Sequence, residues 1–157
     1  MHGGKETINR YDGFSEEEKK RHLSFFKNRS LYYLDAENRL FLHAGFTVMQ
    51  SVERENFKEN FYFDSTLWEM ALAMDTNMKK DHVSYPKRLQ HYSQIYIRHT
   101  PTTNFRESIP MNVVNVWNID TGGAFKGKVT GIKITTKAYF QSDDLPSFYP
   151  NEKGRNK

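Results

Sequence analysis

An α/β fold, equally describable as α+β, is what this sequence predicts, and three features carry the prediction. Two segments open with the Ser/Thr-x-x-Glu pattern of a helix capping box, Ser15 with Glu18 and Thr66 with Glu69. Short runs of Val, Ile, Tyr, Phe and Trp recur along the chain with turn-forming residues between them. The 157 residues suffice for one ordinary domain and its core, in which aromatic residues, at 15%, supply much of the buried area that aliphatic side chains usually provide.

Taken in order, the first capping box, with Glu16 to Glu18 at the positive helix end and Lys27 and Arg29 near the negative end, predicts a helix over 15–28. Leu31-Tyr32-Tyr33-Leu34 and Leu40-Phe41-Leu42 flank Asp35-Ala36-Glu37-Asn38, the pattern of a hairpin of two largely buried strands. The second strand runs straight into His43-Ala44-Gly45. Residues 47–62 show no clean period and read as a loop holding at most one short helix. Leu67, Met70, Ala71, Met74 and Met78 recur at helical spacing and predict a helix over 65–79 whose apolar stripe packs on the sheet. After a short helical piece near 86–92, Gln94-Ile95-Tyr96-Ile97 reads as a strand that stops at Arg98-His99-Thr100-Pro101, because proline biases its predecessor away from helix. Residues 112–119, 128–136 and 137–141 predict a terminal antiparallel meander. The expected organisation is a domain over 1–144 followed by a loosely packed tail over 145–157, where periodicity gives way to Pro, Gly and charge.

Composition excludes several classes. With no cysteine, there is neither a disulfide framework nor a thiolate metal site, and a reducing compartment, the cytoplasm, is the expected location. No apolar run approaches the roughly 20 residues that cross a bilayer, so no membrane is expected, and residues 1–20 lack a leader pattern. The 23 Lys+Arg against 19 Asp+Glu leave a net charge of +4, scattered except for Lys153, Arg155 and Lys157. Nucleic acid is disfavoured, because these charges form no stripe and the aromatic residues sit in core-periodic positions.

Two constellations bear on chemistry. Gly122-Gly123-Ala124-Phe125-Lys126-Gly127-Lys128 matches the glycine and lysine spacing of a phosphate-binding loop, but Val129 replaces the hydroxyl residue that would meet magnesium and a β-branched strand follows in place of a helix. A glycine-rich hairpin loop is expected there. The second constellation is a set of polar residues at strand ends: His43, His99 and Asp120. Two imidazoles on rigid strand ends suit a borderline divalent metal, although histidines this far apart carry no local ligand signature and also occur as structural residues. Asp120 reads either as a carboxylate that orients an imidazole or as an Asx residue opening the glycine turn. Arg98 reads either as a bidentate phosphate ligand or as a solvated arginine. Thr100, Thr102 and Asn104 line a cleft in one reading and belong to an ordinary polar loop in the other. His2, His22, His82 and His91 are expected at the surface.

Leu42-His43-Ala44-Gly45-Phe46 resembles the V-H-A-G segment of calcineurin-like metallophosphatases of the serine/threonine phosphatase type, and Ile97-Arg98-His99-Thr100-Pro101-Thr102 resembles their later G-H-T-P segment. Between them Phe63-Asp64-Ser65-Thr66-Leu67-Trp68 is similar to the family's tryptophan-bearing helix start, and Asn118-Ile119-Asp120-Thr121-Gly122-Gly123-Ala124-Phe125 to its N-I-D-T-G strand and loop. The four segments keep the family order over about residues 2–142. The resemblance implies part of a two-sheet β-sandwich flanked by helices, in which His43 and His99 donate imidazoles to the same metal of a two-metal centre. Manganese, iron or zinc are the implied cofactors, and phosphomonoesters or nucleotide phosphoanhydrides the substrates of a complete enzyme.

The family's other ligands come from segments of the form D-x-H, G-D-x-x-D-R and G-N-H-[DE], none of which occurs here; glycine commonly occupies the place of Arg98. The implied picture is therefore the C-terminal half of such a domain. It would hold at most one metal weakly, contain no catalytic residue of its own, show negligible activity alone, and self-associate through exposed sheet edges. The competing class is an inactive binding or regulatory module that keeps the fold.

Overall fold

The computed structural model describes residues 4–150; Glu6 is described only as part of its helix. His2 and the basic residues Lys153, Arg155 and Lys157 lie outside the described residues. The chain divides after Ser30 into two compact units. In the first, α1 (Gly4–Arg10) precedes α2 (Glu16–Lys27), which begins at Ser15 with both bonds of the predicted capping box in place. His22, expected at the surface, is half-buried: its Nδ1 lies 3.1 Å from the Tyr11 hydroxyl and its ring packs beside Phe14.

The second unit is built on a five-stranded mixed sheet in the order β1-β2-β3-β5-β4, with a separate two-stranded sheet, β6-β7. Its strands are β1 (Tyr32–Leu34), β2 (Arg39–Leu42), β3 (Gln94–Ile97), β4 (Met111–Val113), β5 (Val116–Asn118), β6 (Thr130–Ile132) and β7 (Tyr139–Gln141). The predicted hairpin forms, with Asn38 at φ 57 in its turn and Asp35 accepting from the backbone of Glu37 and Arg39. Only its second strand is buried, however, because β1 is an edge strand that turns Tyr33 to solvent.

The predicted meander is corrected. Residues 111–118 and 130–141 make two hairpins in different sheets, and β5 pairs in parallel with β3, which itself pairs in parallel with β2. Hydrophobic runs disclose strands but not their partners, and the parallel neighbours here are far apart in the chain. The register sets Leu40 beside Ile95 and Ile95 beside Val116, all fully buried on one face. On the other face Phe41, Tyr96 and Trp117 stack in a row, with ring centroids 4.9 and 6.3 Å apart. Lys137 lies over Tyr96 and Trp117 and donates to the Gln94 side chain, to the Tyr96 hydroxyl and to the Ile134 carbonyl.

Helix α4 (Thr66–Leu72) is half the length predicted for 65–79. Its cap also differs: Ser65 occupies the N-cap and bonds Glu69 through its side chain, while the Asp64 carboxylate accepts from the Thr66 and Leu67 amides. The helix stops because Asp75 takes the Asn77 amide in an Asx turn, offering the backbone an alternative to another helical turn. Leu67, Trp68 and Ala71 are buried, and Met74 and Met78 still pack on the core from the turns beyond. The loop over 47–62 holds a 3-10 turn at Val52–Arg54 and α3 (Asn60–Phe63); α5 (Lys87–Gln90) falls within the predicted 86–92, and α6 (Leu145–Phe148) makes one turn within the predicted tail. Among the described residues no helix is long and apolar enough to cross a membrane.

Two outcomes check this packing. Ile95→Ala, in the middle of the sheet, should lower unfolding free energy by about 2–5 kcal/mol in urea, whereas Tyr33→Ala on the exposed edge should change it by less than about 0.5 kcal/mol. Burial raises the Tyr92 phenol from 10.0 to about 12. The folded state therefore keeps a proton that the unfolded state loses, and stability should fall as pH rises from 10 toward about 12. That fall should be smaller in Tyr92→Phe, even though the substitution removes the acceptor of the Val52 amide and costs about 1–3 kcal/mol at neutral pH.

Candidate metal-binding cleft

Strands β2, β3 and β5 run parallel, so their carboxyl ends lie along one edge of the sheet, where open α/β sheets commonly bind ligands. His43 follows β2, Arg98 and His99 follow β3, and Ile119 and Asp120 follow β5. His43 Nε2 lies 3.1 Å from His99 Nδ1, with the rings at 72°. The two histidines are thus brought together. One nitrogen donates and the other accepts, so the pair satisfies itself when both rings are neutral. Burial pushes His43 below the ordinary value of 6.5; His99 and Arg98 push in the same direction and Asp120 opposes them. A depressed value keeps the His43 lone pair available at neutral pH.

The cleft has a volume of about 410 Å³, and Arg98, Asp120, Phe125, Lys128 and Thr130 line it beside the two imidazoles. Asp120 Oδ1 accepts from the Gly122 amide at 3.0 Å, the Asx turn that one sequence reading anticipates, while the residue also faces the cleft. Arg98 is exposed at the cleft wall. Thr100 does not line it; its carbonyl accepts from Asn118 Nδ2 at 2.8 Å. Thr102 is buried, with its hydroxyl on the Glu107 carbonyl, and Asn104 lies in an exposed loop. The other described histidines stand elsewhere: His82 Nδ1 accepts from Ser84, and His91 Nε2 bonds the Met49 carbonyl.

Three supports hold the imidazoles in place. The Arg98 amide donates to the His43 carbonyl at 2.8 Å, tying the two strand ends together. His99 has φ 80, a left-handed backbone uncommon outside glycine that costs on the order of 1–3 kcal/mol and breaks the extended line of β3 at this residue. Behind the His43 segment lies a buried ion pair, Arg88 Nη2 to Asp64 Oδ2 at 3.3 Å, with the Arg88 guanidinium also 5.5 Å over the Phe46 ring. A Cβ at Gly45 would sit 2.1 Å from Asp64 Oδ2, so only glycine lets the chain pass this carboxylate. Sequence reasoning missed Arg88 altogether, since an arginine within the single turn of α5 carries no signal of a partner as distant as Asp64. It noticed Asp64 and Lys128 only as members of motifs.

The fit to a metal can be tested on the nitrogens themselves. Two imidazole nitrogens on one tetrahedral zinc, each at about 2.0–2.1 Å, lie about 3.3 Å apart, close to the 3.1 Å between these two. His43 and His99 fit as two ligands of one cation. Among the described residues no group of three or more His, Asp or Glu side chains gathers to hold a metal, so the two imidazoles are the donors that the cleft brings together.

Replacing Arg88 by Met strands the Asp64 carboxylate in the interior, and the expected loss is about 3–5 kcal/mol in urea unfolding. A loss under about 1 kcal/mol would show that the pair does not support the His43 segment. Neither a protein-family model nor a curated protein matches the chain.

Proposed function

We propose that the His43–His99 cleft is the two-imidazole part of a metal-dependent phosphoesterase site of the calcineurin-like type. The observation that carries the reading is the 3.1 Å separation of His43 Nε2 and His99 Nδ1 at the ends of parallel strands. Its order of motifs, with the tryptophan-bearing α4 between the two histidines and the glycine loop after β5, gives further support. A bound divalent cation, manganese, iron or zinc, would supply Lewis acidity and an activated water for attack on a phosphomonoester or a nucleotide phosphoanhydride. The chain's own part is to present two imidazoles at fixed separation and to keep a cationic wall, Arg98 and Lys128, beside them.

A second reading has its own support. Hydrolysis of this kind uses a bridging carboxylate and a group that protonates the leaving oxygen, and no such set gathers with the imidazoles among the described residues. On that observation the 157-residue chain by itself is a weak metal binder with negligible activity, and a regulatory or binding role for the retained fold is the alternative function.

Zinc and manganese titrations of the purified chain and of His43→Ala and His99→Ala provide the test. Each substitution removes one of two protein ligands and should weaken zinc binding by roughly tenfold or more. Equal affinities in all three proteins would dismiss the shared-cation reading. With either metal, hydrolysis of an aryl phosphate by the unmodified chain should stay near background. Robust metal-dependent turnover would show instead that the residues present suffice.

A further inference from the structure

The glycine loop after β5, dismissed as a phosphate loop in the usual sense, reaches the imidazole cleft by another route. The Phe125 and Gly127 amides donate to the Gly122 carbonyl at 2.9 and 3.0 Å, and the Lys128 amide donates to the Thr121 carbonyl at 3.1 Å. Thr121 Oγ1 returns a bond to the Lys128 carbonyl at 2.7 Å. Gly127 is obligatory to this closure, because a Cβ there would lie 2.0 Å from the Thr121 carbonyl oxygen. The closed loop puts Phe125 and Lys128 into the lining of the cleft that holds His43, His99 and Arg98.

The charges of this lining are unbalanced. Among the described residues the Arg98 guanidinium takes part in no hydrogen bond or ion pair, only its backbone amide being engaged. Lys128 meets Asp144 at 3.9 Å, and that carboxylate is 62% exposed, which makes the pair weak. The one carboxylate of the cleft, Asp120, already accepts from the Gly122 amide. Beside these cations the Phe125 ring, 39% exposed, presents an apolar surface with Ala124 and Val129. A dianionic group with a planar apolar substituent matches both features. Arginine grips two phosphoryl oxygens at once, lysine adds a point charge, and an aromatic ring packs on Phe125 where an alkyl chain gains less.

We propose that the Gly122–Lys128 loop is a recognition lip that makes the cleft selective for aromatic phosphomonoesters, with the phosphoryl group held by Arg98 and Lys128 and the ring seated on Phe125. The proposal deepens the phosphoesterase reading and rests on it for the identity of the reacting group.

Calorimetric titration of the full chain in metal-free buffer at low ionic strength, with phenyl phosphate, ethyl phosphate and inorganic phosphate as probes, tests it. Phenyl phosphate should bind roughly three- to tenfold more tightly than ethyl phosphate. Phe125→Ala should abolish that preference and leave inorganic phosphate unchanged. Arg98→Gln and Lys128→Gln should each weaken all three probes, Arg98→Gln by roughly tenfold or more, with partial recovery in Arg98→Lys. Equal affinity for phenyl and ethyl phosphate, or affinities indifferent to Arg98 and Lys128, overturns the proposal. The two readings fail separately. Zinc binding that depends on His43 and His99 without any phenyl phosphate preference removes the lip alone, whereas a Phe125-dependent preference with zinc binding indifferent to the histidines removes the metal reading alone.

Discussion

The parallel pairing of β2, β3 and β5 is the constraint on which the cleft depends. Ile95 is its centre, fully buried between Leu40 and Val116, and this apolar row fixes the register on both sides. A slip of one residue in either strand would turn its apolar set away from the core and carry its terminal histidine or aspartate to the wrong side of the sheet. The approach of His43 to His99 is thus a consequence of aliphatic burial several residues away. Were β3 antiparallel to β2, its carboxyl end would lie at the opposite edge and the two rings could not meet.

Polar groups carry the next level of the construction. The Asn118 carboxamide donates to the Thr100 carbonyl and accepts from the Asp120 amide, joining the loops after β3 and β5 through one buried side chain. Asp64 accepts from the Thr66 and Leu67 amides and from Arg88, so the start of α4 and α5 share an anchor. The Arg88 Nε and Trp68 Nε1 groups remain buried without partners among the described residues.

How much of this was legible follows the range of each interaction. Helix α2 was readable because Ser15 and Glu18 satisfy each other within one turn, and β2 and β3 because apolar runs end abruptly in polar residues. Helix α4 was overextended because Met74 and Met78 keep helical spacing and pack on the core while the backbone between them follows the Asp75 turn. The candidate histidines were legible as strand-end residues and by resemblance. Their approach was implied by that resemblance alone and by nothing local, since it arises from parallel pairing across long crossovers, and the third strand of that pairing was assigned to a meander. Arg88 acts at a distance in the sequence from both of its partners, Asp64 and Phe46, and nothing local marks it.

Gly45 separates what the fold requires from what chemistry requires in the triplet that it closes. Its lack of a side chain answers to the Asp64 carboxylate and the Leu67 side chain, not to any group in the cleft. Any side chain at this place would meet that carboxylate whatever the cleft does, whereas no such packing limit holds the neighbouring His43. The glycine is therefore a requirement of architecture, set by its neighbours behind the sheet and independent of whatever the imidazole binds.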